Sequence, residues 1–279
     1  MAKLKRYFGW AWGGGLLIGA GVGLYATLIE PQWLQVRRIP LRLRGLHPAF
    51  GGYRLVQISD LHIDSWLGKE RLEAIVARVN AQQPDLVAIT GDFVSWEKED
   101  APDDLPEVLR ALRAPDGVVG VTGNHDYHSG MHSIRQAMRE ANIRDLDNTV
   151  YAIARDGGCL FIAGVDDPLR GEPDLDAVLR QLDGQADPAI LLAHEPEFAA
   201  DSAPSGRFAL QLSGHTHGGQ VQVPFIGAVY LPEGSEQYIQ GMYQLNDMLL
   251  YVNRGLGMVR LKARFNCRPE ITVFTLYPA

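Results

Sequence analysis

The stretch "YRLVQISDLH" (residues 53–62) joins a strand-like run directly to two polar side chains. Residues 53–59 are mostly apolar, and Asp60 and His62 follow where that run ends. Residues 72–79 then place apolar side chains at positions i, i+3, i+4 and i+7, a spacing that predicts an amphipathic helix. The stretch therefore predicts a strand-to-helix unit with polar groups at the carboxyl end of its strand.

The same alternation of strands and helices continues along the chain. Apolar runs at 85–90 and 117–123 predict two more strands, and helical spacing follows each of them, near 105–112 and 134–141. After residue 149 a hairpin around Asp156-Gly157, one further helix near 175–182 and several short strands are predicted. This order favours an α/β fold in which two packed sheets are covered by helices on the outside.

Length, charge and cysteine content limit the class of protein. The chain has 279 residues, 46% of them hydrophobic, and a formal net charge of −7. An acidic chain is atypical of nucleic-acid binders, so no nucleic-acid partner is expected. With only Cys159 and Cys267, the chain has no disulfide framework, and the sequence does not show whether they meet.

The amino-terminal region differs in composition from the rest. Residues 8–29 carry no charged side chain, and a membrane-spanning helix needs about 20 such residues. We interpret 1–7 as a basic flank, 8–29 as a transmembrane anchor or uncleaved signal, 30–49 as a juxtamembrane linker and 50–279 as one large folded domain. A cleaved signal peptide is the alternative. A single-pass location in the cell membrane is expected, and basic residues on both flanks leave its orientation open.

Polar residues of three chemical types follow five of the predicted strands. Ligands in α/β sheets collect outside the carboxyl ends of strands, so these residues are expected to converge on one crevice. Each one alone also suits an ordinary polar turn, but together they indicate a metal site. The residues are Asp60, His62, Asp92, Asn124, His125, Asp126, His194, His215 and His217.

The last two of these residues lie in "SGHTHGG" (213–219), directly after an apolar run. If the backbone there stays nearly extended, His215 and His217 point to the same side, because side chains alternate along a strand. Carboxylate, amide and imidazole groups without cysteine suit Mn, Fe or Zn in a catalytic site.

The ordered motifs D-x-H, G-D, G-N-H-D, H and G-H-x-H resemble those of the calcineurin-like metallophosphoesterase superfamily over roughly residues 50–277. "GHTHGGQ" and "RFNCRPEIT" are similar to its bacterial membrane-anchored branch. The resemblance implies a four-layer α-β-β-α sandwich and two divalent metal ions. It implies a first metal on Asp60, His62 and His217, a second on Asn124, His194 and His215, and Asp92 as the bridging ligand.

The resemblance also implies an activity. His125 would lie near the scissile phosphate as an electrostatic helper or general acid, and Asp126 would orient it. The protein would be a metal-dependent phosphohydrolase, a phosphodiesterase or pyrophosphatase that uses a bridging hydroxide. With the expected anchor, this suggests a lipid-linked phosphate ester such as UDP-diacylglucosamine. The alternatives are a nuclease and a non-catalytic metal-binding scaffold for protein partners, although no protein partner is evident.

Overall fold

The computed structural model describes residues 19–96 and 101–279. Its α-helices beyond residue 29 are α1 (Lys69–Asn80), α2 (Leu105–Leu109), α3 (Asn124–His128), α4 (Met131–Glu140), α5 (Leu175–Gln181) and α6 (Ala199–Ser202). Its strands are β1 (Gln35–Leu43), β2 (Tyr53–Ile58), β3 (Leu86–Thr90), β4 (Val118–Val121), β5 (Ile143–Asp145), β6 (Thr149–Arg155), β7 (Gly158–Gly164), β8 (Ala189–Leu192), β9 (Phe208–Ser213), β10 (Gln222–Val223), β11 (Gly227–Ala228), β12 (Gly241–Leu245), β13 (Met248–Val252) and β14 (Glu270–Pro278).

Twelve of these strands form two mixed sheets of six strands each. The first has the order β1-β14-β2-β3-β4-β5, in which β2 to β5 run parallel and β14 runs antiparallel to β2. The second has the order β12-β13-β9-β8-β7-β6, with four parallel central strands and an antiparallel strand at each edge. Parallel strands bring their carboxyl ends to one edge, and that edge bears the candidate site.

The two sheets pack face to face and are each covered by helices on the outside. Leu55 and Val121 of the first sheet share one buried core with Ile190 and Leu212 of the second. A second core lies beneath α1, α2 and α4, and a third lies beneath α5 and α6. The architecture is therefore the four-layer α-β-β-α sandwich that the sequence predicts.

Residues 30–49, expected to form a linker, contain the edge strand β1 instead. This strand pairs in parallel with β14, from Gln35 opposite Glu270 to Leu43 opposite Pro278. Leu41 and Leu43 are buried in the core between the sheets. The run looks like a linker because its apolar residues alternate with arginines and its partner strand lies at the far end of the chain.

Part of the predicted anchor lies outside the described residues. Residues 8–18 belong to that part, whereas 19–24 are α-helical and Tyr25–Ile29 continue them as a turn of π-helix. Within 19–96 and 101–279, no helix combines the length and apolar character needed to cross a membrane.

Candidate metal and catalytic site

The seven residues predicted as metal ligands lie together where β2, β3, β4, β8 and β9 end. The side chains form three groups, and within each group the possible ligand atoms all lie within 4.8 Å of one another. They are Asp60 with His62 and His217, His62 with Asp92 and His125, and Asp92 with His194 and His215. Asn124 joins the last group, since its Oδ1 lies 3.1 Å from Nδ1 of His215.

One carboxylate oxygen connects the two sides of the site. Oδ2 of Asp92 lies 3.2 Å from Nε2 of His62 and also 3.2 Å from Nε2 of His194. Burial would raise the pKa of Asp92, but His194, His125 and His62 together hold it well below its usual value. Asp92 is therefore a buried carboxylate placed between two groups of imidazoles.

The first group brings nitrogen and oxygen atoms of three buried side chains close together. Nε2 of His62 lies 3.0 Å from Nε2 of His217, which lies 3.5 Å from Oδ1 of Asp60. Burial and the neighbouring His62 keep the pKa of His217 well below its usual value, whereas burial raises that of Asp60. Oδ2 of Asp60 has no partner among the described residues. A cation would satisfy these buried atoms, so the group fits a metal.

In the second group, backbone carbonyls fix the orientation of both histidines. Nδ1 of His194 lies 2.7 Å from the carbonyl oxygen of Thr90, and Nε2 of His215 lies 2.7 Å from that of Glu233. If each of these nitrogens donates its proton, the other ring nitrogen turns a lone pair toward Asp92 or Asn124, as metal-binding histidines do. Burial lowers the pKa of His215 to about 3, so the ring is neutral.

The backbone at the site is not extended as the sequence suggested. His215 and His217 have φ of 69° and 51°, with Thr216 at −74° between them. The two imidazoles do converge on one cleft, but an alternation of left- and right-handed backbone directs them there. Asp60, His62 and Asp92 also have positive φ. Such conformations cost on the order of 1–3 kcal/mol each and cluster at functional sites.

The glycines of the motifs allow close approach to the ligands. A Cβ on Gly123 would lie 2.4 Å from Oδ1 of Asp92. A Cβ on Gly214 would lie 2.4 Å from Oδ2 of Asp60. Since real Cβ atoms do not approach other atoms so closely, both positions require glycine.

Arg264 supports the site from below, a role that the sequence did not reveal. Its fully buried guanidinium donates to the carbonyl oxygens of Arg254, Gly255 and Gly257 at 3.0, 3.1 and 2.6 Å. A Cβ on Gly257 would lie 2.7 Å from Cβ of His62, so this loop packs directly on a predicted ligand. The only signal in the sequence was the family-like segment "RFNCRPEIT", which contains Arg264.

His125 lies at the edge of the first group and faces the cleft. Its amide donates to Oδ1 of Asp92 at 2.9 Å, and its ring meets that of His62 edge-on with centroids 4.7 Å apart. Nδ1 of His125 has no partner among the described residues. Burial lowers the pKa of His125 to about 4, so its ring is neutral near pH 7.

The carboxylate of Asp126 contacts backbone amides and not the ring of His125. Oδ1 accepts from the amides of Phe93 and Val94 at 2.9 and 3.3 Å, and Oδ2 accepts from that of Gly123 at 3.0 Å. Asp126 therefore ties the loop after β3 to the start of α3. This differs from the orienting role that the resemblance implied.

A pair of buried acids that the sequence analysis missed lies behind His215. Oε1 of Glu195 is 3.8 Å from Nδ1 of His215, and the pKa of Glu195 is also affected by the nearby buried carboxyl group of Asp167. Burial raises the pKa of both acids, and that of Glu195 lies well above its usual value. Two buried carboxyl groups therefore lie beside the second group.

The site opens into a cleft of about 500 Å³ that has both polar and apolar lining residues. The guanidinium groups of Arg170 and Arg260 also line it, and within the described parts of the chain neither forms a salt bridge. Arg254, by contrast, is paired with Glu270. The apolar lining residues are Trp96, Leu169, Val221, Val229, Tyr230, Pro232, Val259 and Leu261.

An α/β sandwich with oxygen and nitrogen ligands gathered at its strand ends is the construction of a metal-dependent phosphoesterase. Residues 53–219 match the Calcineurin-like phosphoesterase family, and the chain belongs to this family. It is therefore a phosphoester hydrolase of a metal-dependent family.

Two bacterial relatives match nearly the whole chain. An uncharacterized metallophosphoesterase, YkuE of Bacillus subtilis, is 37% identical over 98% of this chain and 96% of its own length. The phosphodiesterase YaeI of Escherichia coli is 28% identical over 98% of both chains. Among solved structures, the NAD nucleotidase NadN of Haemophilus influenzae has a similar fold, with a TM-score of 0.50 and 14% identity over 73% of this chain and 45% of that one.

Proposed function

We propose that the protein is a phosphodiesterase or pyrophosphatase with two metal sites that share Asp92. The observation that supports this most directly is the position of Oδ2 of Asp92, 3.2 Å from Nε2 of both His62 and His194. Asp60, His62 and His217 would hold one cation, and Asn124, His194 and His215 the other. A single carboxylate between two ligand sets is the arrangement that a dinuclear site needs.

Divalent cations bound there would act as Lewis acids, lower the pKa of water and stabilise negative charge that develops on the phosphoryl group. His215 and His217 are suited to bind them, because burial keeps both rings neutral. His125 is also neutral near pH 7, so its ring N–H can donate a hydrogen bond to a phosphate or leaving-group oxygen. Asp126 positions the backbone on which Asp92 and Asn124 lie.

The cleft favours a substrate with a charged and an apolar part. Arg170 and Arg260 are available for phosphate oxygens, while the walls beyond the ligands are apolar. A lipid-linked diester or pyrophosphate, such as UDP-diacylglucosamine, has both features. We propose that residues 8–29 hold the enzyme at the membrane, because the segment has no charge and the length of a membrane span.

The test compares metal content and turnover of the full-length protein, loaded with Mn²⁺ in detergent, with those of Asp92→Asn. His132→Gln is the control, since His132 is exposed on α4. We expect about two metals per chain in the wild type and fewer in Asp92→Asn. Turnover should fall by more than roughly 100-fold, the upper end of the loss seen when a residue that hydrogen-bonds to a metal ligand is removed. Wild type that binds at most one metal, or Asp92→Asn that keeps two, would contradict the proposal.

The substrate class is tested on the same preparations with a phosphomonoester, a chromogenic phosphodiester, pyrophosphate and UDP-diacylglucosamine. We expect the lipid-linked substrate to give the highest kcat/KM. Equal rates on lipid-linked and soluble diesters would remove the argument for lipid. Efficient cleavage of short DNA that weakens with salt would identify a nuclease instead.

A further inference from the structure

The hairpin formed by β10 and β11 projects large apolar side chains into solvent. At its tip Phe225 has a relative exposure of 110% and Ile226 of 79%. Phe225 also has a φ of 68°, a conformation that glycine adopts at lower cost. The Phe225 side chain is fully exposed in the described structure, so it is free to contact something outside the chain.

This apolar surface continues from the hairpin to the mouth of the cleft. Val229, Tyr230 and Leu261 are exposed hydrophobic residues, and all three also line the cleft. We call the five residues Phe225, Ile226, Val229, Tyr230 and Leu261 the apolar rim. Contiguous apolar surface of this kind marks a site of interaction with a membrane or another apolar partner.

The apolar rim lies beside the amino-terminal helix. The segment 264–265 connects them, because the carbonyl of Phe265 accepts from the amide of Gln222 at 2.8 Å and the amide of Arg264 donates to the carbonyl of Ala26 at 2.8 Å. The rings of Tyr25 and Phe265 also meet edge-on, with centroids 6.3 Å apart. Residues 25 and 26, near the end of the uncharged segment, therefore contact the folded domain next to the hairpin.

The charge at the apolar rim also fits a lipid surface. The guanidinium of Arg260 lies 4.6 Å from the centroid of the Tyr230 ring, is exposed, and forms no salt bridge within 19–96 and 101–279. An aromatic residue with a free arginine beside it is typical of the membrane interface, where the ring contacts lipid and the cation contacts phosphate headgroups.

We propose that the apolar rim inserts into the interface of a lipid bilayer and turns the mouth of the cleft toward that surface. The insertion is a second membrane contact, separate from residues 8–29. It rests on the proposed function in one respect: it gives a lipid-linked phosphoester a path from the bilayer to Asp92 along Leu261 and Tyr230. The headgroup would enter the cleft toward Asp92 while the acyl chains remain near the bilayer.

The contact can be tested without any substrate. The background is the full-length Cys159→Ser protein, in which the remaining Cys267 is buried. Phe225→Cys adds one exposed cysteine, which is labelled with an environment-sensitive fluorophore. The protein is reconstituted in nanodiscs of phosphatidylethanolamine and phosphatidylglycerol with nitroxide-labelled phosphatidylcholine. Gln185→Cys, an exposed position between α5 and β8, is the matched control.

We expect blue-shifted emission and strong quenching by the nitroxide lipids at position 225, and neither at position 185. Equal, weak quenching at the two positions would overturn the proposal. Blue-shifted emission at 225 without lipid quenching would also overturn it, since it would indicate a second copy of the chain or another protein on the apolar rim. None of these outcomes depends on catalysis.

A second measurement connects the contact to turnover. The double variant Phe225→Ser, Ile226→Ser changes residues that do not line the cleft. We expect its kcat/KM on a soluble chromogenic diester to stay near that of wild type and its rate on a bilayer-embedded lipid phosphodiester to fall about tenfold or more. An equal loss on both substrates would contradict the proposal. Wild type that is inactive on lipid phosphodiesters, with quenching intact, would instead contradict the proposed function.

Discussion

The carboxylate of Asp126 accepts a hydrogen bond from the amide of Phe93 at 2.9 Å. Its other oxygen accepts from the amide of Gly123 at 3.0 Å. One buried side chain thereby holds the residue after Asp92 and the residue before Asn124 at a fixed separation. Asp92 and Asn124 are proposed to bind metal, so Asp126 should affect the site by fixing the position of the backbone that carries them.

Asp126→Ala should weaken metal binding and activity together. The variant leaves the amides of Phe93 and Gly123 buried and unpaired, so the two loops lose their common acceptor. We expect a loss of about 10- to 100-fold in metal affinity or turnover, measured by metal titration and steady-state kinetics. Asp183→Ala, at an exposed position, is the control. A loss of turnover with unchanged metal affinity would favour a direct role with His125 instead.

Gly123→Ala should damage the site more than its added volume suggests. The methyl group would meet Oδ1 and the amide nitrogen of Asp92 at 2.4 and 2.7 Å, and a buried backbone cannot move away freely. Overpacking of this kind costs about 1–3 kcal/mol, so urea unfolding should detect it along with loss of bound metal. Gly68→Ala is the matched control, because the nearest atom to its Cβ would be 4.0 Å away. Equal stability of the two variants would contradict the prediction.

The sequence predicted which residues come together at the site, because each of them lies in a short motif. Asp60, Asp92 and His194 each follow an apolar strand directly, so their strands predict where they meet. The covering helices were also predictable from their spacing, as in α1. In each case a few neighbouring residues contain the whole signal.

The features that the sequence did not predict depend on contacts between distant parts of the chain. β1 becomes a strand only through pairing with β14, more than 200 residues later. The left-handed backbone at His215 and His217 is uncommon for any residue other than glycine, so a local sequence pattern does not predict it. Arg264 is equally hidden, because its partners are carbonyl oxygens, which every residue has.

Arg264→Met should be strongly destabilising. The substitution keeps an unbranched apolar stem but leaves the carbonyl groups of Arg254, Gly255 and Gly257 without their shared donor in a buried place. Each unsatisfied group costs about 1–3 kcal/mol, so the loss in free energy of unfolding should exceed that of an ordinary surface change. Urea unfolding of Arg264→Met beside Arg113→Met, at an exposed position, measures it. A difference of less than about 0.5 kcal/mol between them would sink the idea.

Asp147 should make stability depend on pH. Burial, with repulsion from Asp145, raises the pKa of Asp147 to about 7 in the folded protein. Between the ordinary aspartate pKa, about 4, and pH 7 the folded state keeps a proton that the unfolded state has lost. The stabilisation is complete below pH 4, declines as the pH rises and is gone above pH 7.

Asp147→Asn removes this titration, so its free energy of unfolding should vary less between pH 4 and 7. The difference in slope is at most about 1.4 kcal/mol per pH unit for one proton. Urea unfolding of both proteins in EDTA measures it, and the histidines common to both cancel in the comparison. Parallel curves would show that Asp147 titrates normally.

Asp60→Asn should have opposite effects on stability with and without metal. In metal-free protein the carboxylates of Asp60 and Asp92 repel each other in a buried site, and burial already raises the pKa of Asp60. Asparagine removes that charge and keeps an Oδ1 to accept the amide of His215, a bond of 2.9 Å. In EDTA the variant should therefore melt at or above the temperature of the wild type.

In Mn²⁺ the order should reverse, because free metal at 100 times its Kd stabilises the wild type by about 2.7 kcal/mol and the variant by much less. Melting curves in EDTA and in Mn²⁺ provide the measurement, and the same order in both would contradict a metal on Asp60.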